Sequence, residues 1–123
     1  MANTIVWASI PATDLERASK FYSAVLQAEV QTIPGMDGVV TLPGEQGTVS
    51  ADISLSENNK PSTEGPTIYL DSQGDPEAML ERVVAAGGRI LMPVSDMGEM
   101  VGWIGFFLDS EGNRIGVHKP PQM

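Results

Sequence analysis

Cysteine is absent from the 123 residues of the chain. Its absence excludes a disulfide framework, a thiolate nucleophile and cysteine-ligated zinc or iron–sulfur centres. Histidine is nearly absent as well, since His118 is the single imidazole in the sequence. Imidazole chemistry is therefore limited to this one residue.

Positive charge is also scarce. Seven Lys and Arg stand against sixteen Asp and Glu, which gives a formal net charge of −9. Such a charge repels phosphate backbones and anionic membrane surfaces, so we expect no nucleic-acid partner and no membrane partner. No run reaches the roughly 18 to 20 apolar residues that cross a bilayer. The first residues also lack the cationic start of a secretion signal, and a cytoplasmic location is expected.

The composition that remains is that of a globular protein. Hydrophobic residues make up 41% of the chain, and its length fits a single domain over 1–123. Thirteen Gly and nine Pro predict many turns and therefore short strands.

The first half of the sequence predicts one strand, one helix and three further strands. A β-branched, apolar run at 4–10 predicts a strand that Pro11 ends. Thr13 and Glu16 have the spacing of a capping box, which predicts the start of a helix. Apolar residues at three- and four-residue intervals continue this helix along one stripe. Short apolar runs at 30–33, 39–42 and 48–55 predict the three strands.

The second half repeats this order after a polar connector at 57–65. A strand at 67–71 precedes a helix with Asp75 at its N-cap and Pro76 at its first position. Gly87 and Gly88 are expected to end that helix. Runs at 89–92, 101–108 and 114–117 predict three strands, with 109–113 as a turn. A period of about 60 residues suggests duplication of a βαβββ unit.

Three segments carry a family resemblance. Residues 10–22 read IPATDLERASKFY, residues 85–88 read AAGG, and residues 106–116 read FFLDSEGNRIG. In this order they resemble the vicinal oxygen chelate superfamily, which includes glyoxalase I, bleomycin-resistance proteins and extradiol dioxygenases. The resemblance implies an α+β fold of two βαβββ modules, with curved mixed sheets around a cavity and helices outside. It places module 1 at about 4–56 and module 2 at about 66–119, usually in a homodimer.

The resemblance also implies where a metal would bind. Metal-using members take one ligand, usually His, Glu or Gln, from the first and the last strand of each module. Here the first-strand positions match Trp7 and Thr67, and one last-strand position matches Gly116. The fourth position lies at 51–53, where Asp52 is the only residue whose side chain can coordinate a metal. The sequence leaves open which of these three residues occupies the position. A catalytic site needs about three ligands, so we expect no metal and no other cofactor.

Alternation along the strands sorts residues between two sheet faces. One face is expected to pack under the helices; it contains Val6, Ala8, Ile10, Ile68, Leu70, Ile115 and Val117. We call the opposite face the cavity face; it contains Trp7, Ser9, Thr67, Tyr69, Asp71, Arg114, Gly116 and His118. Asp52 joins the cavity face if Ala51 and Ile53 face the helices. A concave face that mixes rings with a few polar groups is typical of small-molecule pockets.

The candidate ligand-binding residues are Trp7, Ser9, Asp52, Thr67, Tyr69, Trp103 and His118; no catalytic residue is assigned. Trp7 and Trp103 are candidates for stacking a planar ligand, although large aromatic residues also fill cores. Asp52 is a candidate for binding a cation, although strand carboxylates are often only solvated. His118 is a candidate acid or base, or a surface residue near the terminus.

These observations favour a metal-free member of the superfamily that binds or sequesters an aromatic or cationic small molecule in a homodimer. The negative charge favours a cationic partner. A metal-dependent lyase, isomerase or dioxygenase of the glyoxalase type is one alternative. An accessory interaction domain whose own side chains fill the cavity is the other.

Overall fold

The computed structural model of the protein describes residues 4–45 and 47–121. Its elements follow the predicted order of strand, helix and three strands, twice. They are β1 (Trp7–Ala12), α1 (Leu15–Leu26), β2 (Gln31–Ile33), β3 (Met36–Thr41), β4 (Ser50–Leu55), β5 (Ile68–Asp71), α2 (Pro76–Ala85), β6 (Arg89–Asp96), β7 (Trp103–Leu108) and β8 (Arg114–Lys119).

The strands form two four-stranded sheets with the same topology. Their orders are β1-β4-β3-β2 and β5-β8-β7-β6. In each sheet the first and last strands of the unit pair in parallel, and the other pairs are antiparallel. The predicted α+β fold of two βαβββ units is confirmed.

The two helices share one hydrophobic core with the two sheets. The stripe of α1 is buried at Ala18, Phe21, Tyr22 and Val25, as its periodicity predicts, and that of α2 at Met79, Leu80 and Val83. The Phe21 ring lies 6.0 Å from the Phe107 ring, centroid to centroid, which joins α1 to the second sheet. Each fully buried large apolar side chain stabilises the fold by about 1.5–3 kcal/mol. No helix in the described ranges is long and apolar enough to cross a membrane.

The start of α1 differs from the predicted capping box. Asp14 is the N-cap, and its Oδ1 accepts a 3.0 Å hydrogen bond from the Arg17 N–H. Thr13 instead donates its N–H and its hydroxyl to Oε1 of Glu111, at 2.9 and 3.2 Å. The capping prediction was wrong because the Thr13 hydroxyl donates to a carboxylate of the second module, which is distant in sequence. Asp14 occupies the N-cap position instead.

The limits of β1 also differ from the prediction. The strand continues through Pro11 to Ala12, since β1 is an edge strand and Pro11 needs no N–H partner on its open side. At its start, Val6 precedes the strand and is 69% exposed. Val6 therefore does not pack under the helices as alternation predicted.

The turn between β7 and β8 joins the two modules. Asp109 is buried, and its Oδ2 accepts hydrogen bonds from the Tyr22 hydroxyl of α1 and from Asn113 Nδ2. Asn113 Nδ2 also donates to the Pro11 carbonyl at 2.8 Å. The start of β8 is thereby held against the end of β1. We call this junction of the two modules the seam; it positions the cavity-face residues of one sheet relative to those of the other.

Glu111 in the same turn binds the N-terminal end of α1. Arg17 donates to both of its carboxylate oxygens, Nε to Oε2 at 2.7 Å and Nη2 to Oε1 at 3.0 Å. Burial raises the pKa of Glu111, but hydrogen bonds from Arg17, Asp14 and Thr13 outweigh burial and lower this pKa to about 2. The carboxylate is therefore ionised in the folded protein at neutral pH.

Candidate functional site

The sheet faces follow the predicted alternation over most of their length. Ile10, Ala51, Ile53, Leu70, Ile115 and Val117 are buried on the helix side. The residues between them lie on the cavity face; Trp7, Asp52 and Tyr69 are half-buried or exposed there, whereas Gly116 is buried. Since Ala51 and Ile53 face the helices, Asp52 joins the cavity face.

Trp7, Ser9 and Asp52 form one hydrogen-bonded cluster in the first module. The indole Nε1 of Trp7 donates to Asp52 Oδ2 at 2.8 Å, and the Ser9 hydroxyl donates to the same oxygen at 3.2 Å. The parallel register of β1 and β4 sets Ser9 directly beside Asp52. The other carboxylate oxygen, Oδ1, is buried and has no hydrogen-bond partner among the described residues. Among the described residues this oxygen is therefore a buried acceptor whose hydrogen-bonding capacity is unused.

The second module carries a cluster of rings and one guanidinium. Arg114 Nη1 donates to the Thr67 hydroxyl at 2.8 Å, and the guanidinium carbon lies 3.9 Å from the centre of the Phe106 ring. The Tyr69 ring lies 5.8 Å from Phe106, centroid to centroid. Tyr69 also covers Gly116, where an added Cβ atom would lie 2.7 Å from Tyr69 Cε1.

The two parallel registers determine which positions of the modules are equivalent. Ser9 pairs with Asp52, and Tyr69 pairs with Gly116. Since the family resemblance matches Trp7 with Thr67, Ser9 corresponds to Tyr69, and Asp52 is then the counterpart of Gly116. Trp7 and Thr67 lie two residues before Ser9 and Tyr69.

These four positions do not fit a metal ion. Asp52 is the single carboxylate among them, and its Oδ2 is engaged by Trp7. The Thr67 hydroxyl accepts from Arg114, and the Tyr69 ring fills the space beside Gly116. Within residues 4–45 and 47–121, no group of three or more His, Asp or Glu is placed to hold a metal.

Two cavities lie at the seam between the modules, and residues of both β1 and β5 line each of them. The larger cavity, of about 690 Å³, is lined by Trp7, Thr67, Tyr69 and Asp71, together with apolar residues such as Leu42 and Ile68. The smaller cavity, of about 320 Å³, is lined by Ser9, Arg114 and part of the connector that includes Lys60 and Glu64. The structure thus brings Trp7, Thr67 and Tyr69 together in one cavity, and Ser9 lines the adjoining one.

The remaining two candidates lie elsewhere. His118 follows Gly116 on the cavity face, at the end of β8, where its Nε2 donates to the Val101 carbonyl at 2.7 Å. Trp103 pairs with Lys119, so alternation places it on the same side as buried Phe107 and Val117. It lines a different cavity, with Asp96 and Glu99. Neither residue lines the larger or the smaller cavity.

Two residues of the site were missed by sequence reasoning. Arg114 was placed on the cavity face but not among the candidates, and Phe106 was not considered. The antiparallel pairing of β7 and β8 sets Phe106 directly beside Gly116. A hairpin register counted back from the turn at 109–113 would have found this pair.

Comparisons with known proteins give one consistent result. Residues 4–117 match the model of the Glyoxalase/Bleomycin resistance protein/Dioxygenase superfamily. A "Glyoxylase-like domain-containing protein" of Didymella fabae is 36% identical over 118 residues, covering 91% of this chain and 90% of that protein. "Putative glyoxylase CFP32" of Mycobacterium tuberculosis is 28% identical over 115 residues. The chain spans 43% of the length of that protein.

Solved structures show the same fold at low sequence identity. A glyoxalase/bleomycin resistance protein from Albidiferax ferrireducens superimposes with a TM-score of 0.77 at 19% identity, covering 96% of this chain and all of that one. The fosfomycin resistance protein FosX from Mesorhizobium loti gives a TM-score of 0.62 at 18% identity, covering 97% and 93%. At these identities the likeness concerns the fold alone.

Proposed function

This chain belongs to the Glyoxalase/Bleomycin resistance protein/Dioxygenase superfamily, and we propose that it binds a small molecule without using a metal ion. The binding site is the larger cavity together with the cavity face beside it. Sequestration of the bound molecule is the expected role.

One observation carries this proposal. The groups at the four positions where metal-using relatives place ligands are engaged with the protein itself. Trp7 donates to Asp52, Arg114 donates to Thr67, and Tyr69 covers Gly116. A metal at this place would have to displace these contacts and would gain a single carboxylate ligand, whereas catalytic sites have about three protein ligands.

The lining of the larger cavity supports an aromatic or cationic ligand. Trp7 and Tyr69 are 45% and 48% exposed, so both rings offer area for stacking. Asp52 does not line this cavity, but its carboxylate is hydrogen-bonded to Trp7, which does, and its negative charge favours a cationic group nearby. A volume of about 690 Å³ suits a small organic molecule.

We further propose that the protein acts as a homodimer in the cytoplasm. The edge strands away from the junction of the modules are β2 and β6, and the cavity face presents exposed rings at Trp7 and Tyr69. A second copy would cover such edges and apolar surface. Sedimentation at micromolar concentration tests this point, and a species of 13 kDa alone would contradict it.

A metal-binding experiment tests the central proposal. Purified, dialysed protein should carry well under one Zn, Ni, Mn or Fe ion per chain. Adding each ion should leave the melting temperature unchanged, because a ligand at 100 times its Kd would stabilise the fold by about 2.7 kcal/mol. The Asp52→Asn variant is the matched control. Stoichiometric metal that is lost in this variant would refute the proposal.

The names of the mycobacterial relatives favour a second candidate, an enzyme of the glyoxalase type. Such an enzyme polarises vicinal oxygens on a divalent metal. The same experiment separates the two candidates, because this one requires a bound metal. A cavity filled by the protein's own side chains, as in an accessory domain, is disfavoured by the open volume beside Trp7 and Tyr69.

A further inference from the structure

Arg17 and Arg114 both lie next to the β7–β8 turn, but their guanidinium groups make different contacts. Arg17 binds the Glu111 carboxylate in bidentate fashion, through Nε and Nη2. Arg114 uses only Nη1, which donates to Thr67. Its Nε and Nη2 have no hydrogen-bond partner in the described part of the chain. These two donors form the pair that matches the spacing of carboxylate oxygens.

The guanidinium of Arg114 is held in place before any ligand binds. Thr67 engages its Nη1 from one direction, and the Phe106 ring lies beneath it, 3.9 Å from the guanidinium carbon. The backbone N–H of Arg114 donates to the Ser62 carbonyl of the connector at 3.3 Å. A side chain held by two contacts on a backbone that is itself hydrogen-bonded loses little conformational entropy when a ligand binds.

The surroundings of Arg114 favour an anion in spite of the negative charge of the whole chain. Lys60 and Arg114 line the smaller cavity, and Glu64 is the one acidic residue of its lining, which gives a local formal charge of +1. No carboxylate lies within 4.0 Å of the Arg114 guanidinium among the described residues, whereas Arg17 and Lys20 have such partners. The charge of Arg114 is therefore left for a ligand.

The position of Thr67 connects this guanidinium to the proposed binding site. Thr67 lines the larger cavity together with Trp7 and Tyr69, and its hydroxyl accepts a hydrogen bond from Arg114, which lines the smaller cavity. A molecule in the larger cavity that contacts Thr67 therefore lies next to the Arg114 guanidinium.

We infer that the ligand is an aromatic carboxylate whose carboxylate group is bound by Nε and Nη2 of Arg114. This inference rests on the proposed small-molecule function and adds the chemical class of the ligand. A planar carboxylate matches the two parallel N–H donors, and each hydrogen bond between charged groups is stronger than one between neutral groups.

The test compares acids with their neutral amides. Benzoate and benzamide, phenylacetate and phenylacetamide, and indole-3-acetate and indole-3-acetamide are titrated into the wild-type protein by calorimetry at neutral pH. The acid of a pair that binds should bind at least about tenfold more tightly than its amide. The same pairs are titrated into Arg114→Gln, Arg114→Lys and Arg89→Gln.

Arg114→Gln should reduce this preference to below about twofold. Arg114→Lys keeps the charge without the paired donors and should give an intermediate preference. Arg89→Gln removes the same charge from an exposed position outside both cavities and should keep the full preference. If a variant does not fold, the comparison of acid and amide binding to the wild-type protein still tests the inference.

The outcomes separate the two proposals. Equal binding of acid and amide to wild type, or a preference that persists in Arg114→Gln, would overturn the role of Arg114 and leave the small-molecule function standing. Binding of none of the six compounds would count against the aromatic-ligand site itself, and the inference would fall with it.

Discussion

The aromatic ring of Tyr69 occupies the space that a side chain at Gly116 would fill. Glycine at this position therefore permits the close approach of the ring to β8. The ring is in turn held against Phe106. The Tyr69 ring thus fills the space beside the position at which the family resemblance implies a metal ligand.

Gly116→Ala should lower the free energy of unfolding by about 1–3 kcal/mol, because the new Cβ displaces the Tyr69 ring. Chemical denaturation measures this loss. In the double variant Tyr69→Ala/Gly116→Ala the cost of the Gly116 change should largely disappear. Equal costs with and without the Tyr69 ring would show that the two residues are not coupled.

Trp7→Ala should weaken an aromatic ligand by about 1–2 kcal/mol through lost stacking and burial. The fold itself should lose less than the roughly 3–5 kcal/mol of a fully buried aromatic residue, since Trp7 is 45% exposed. Trp7→Phe keeps a six-membered aromatic ring and removes the pyrrole ring with its hydrogen bond to Asp52, so it should retain most of the affinity. Calorimetry measures the affinity of both variants for an aromatic ligand.

Trp103→Phe is the control, because Trp103 lines neither the larger nor the smaller cavity. Unchanged ligand affinity in Trp7→Ala would show that Trp7 is not part of the binding site.

Glu111→Gln should reduce stability at neutral pH by about 1–2 kcal/mol, a figure discounted for the half-exposed side chain of Arg17. The folded pKa of Glu111, about 2, lies below its ordinary value of 4.5. The stabilisation is therefore complete above pH 4.5 and is lost as pH falls toward 2. Unfolding free energies measured between pH 6 and 3 should fall more steeply for wild type than for Glu111→Gln. Parallel profiles would argue against this role of the carboxylate.

Tyr22→Phe tests the buried contact between α1 and the β7–β8 turn. Removing the hydroxyl deprives Asp109 of one hydrogen bond and should cost about 1–2 kcal/mol. Burial, and then the nearby Asp109, raise the pKa of Tyr22 well above 10. The folded state therefore favours the protonated phenol, and stability should fall as pH rises above 10. Denaturation at pH 9 and 11 should show a larger loss in wild type than in Tyr22→Phe.

Much of the fold follows from local sequence. The stripe of α1 needs only the spacing of Ala18, Phe21 and Val25, and the start of α2 needs only Asp75 and Pro76. Alternation likewise placed Trp7, Asp52 and Tyr69 on one face, because a period of two is a property of each strand alone. The scarcity of metal ligands at the family positions is also a property of the sequence.

Contacts between the modules were decided by the tertiary structure. Glu111 accepts a hydrogen bond from the Thr13 hydroxyl, which therefore does not cap α1 as predicted. Strand β1 continues through Pro11 because it lies at the edge of its sheet. Strand register determined that Asp52 is the counterpart of Gly116 and that Phe106 lies beside it. Which donors of Arg114 remain unused depends on Thr67, 47 residues away in sequence. Such pairings depend on how two sheets meet at a seam, and no periodicity within one strand or helix contains that information.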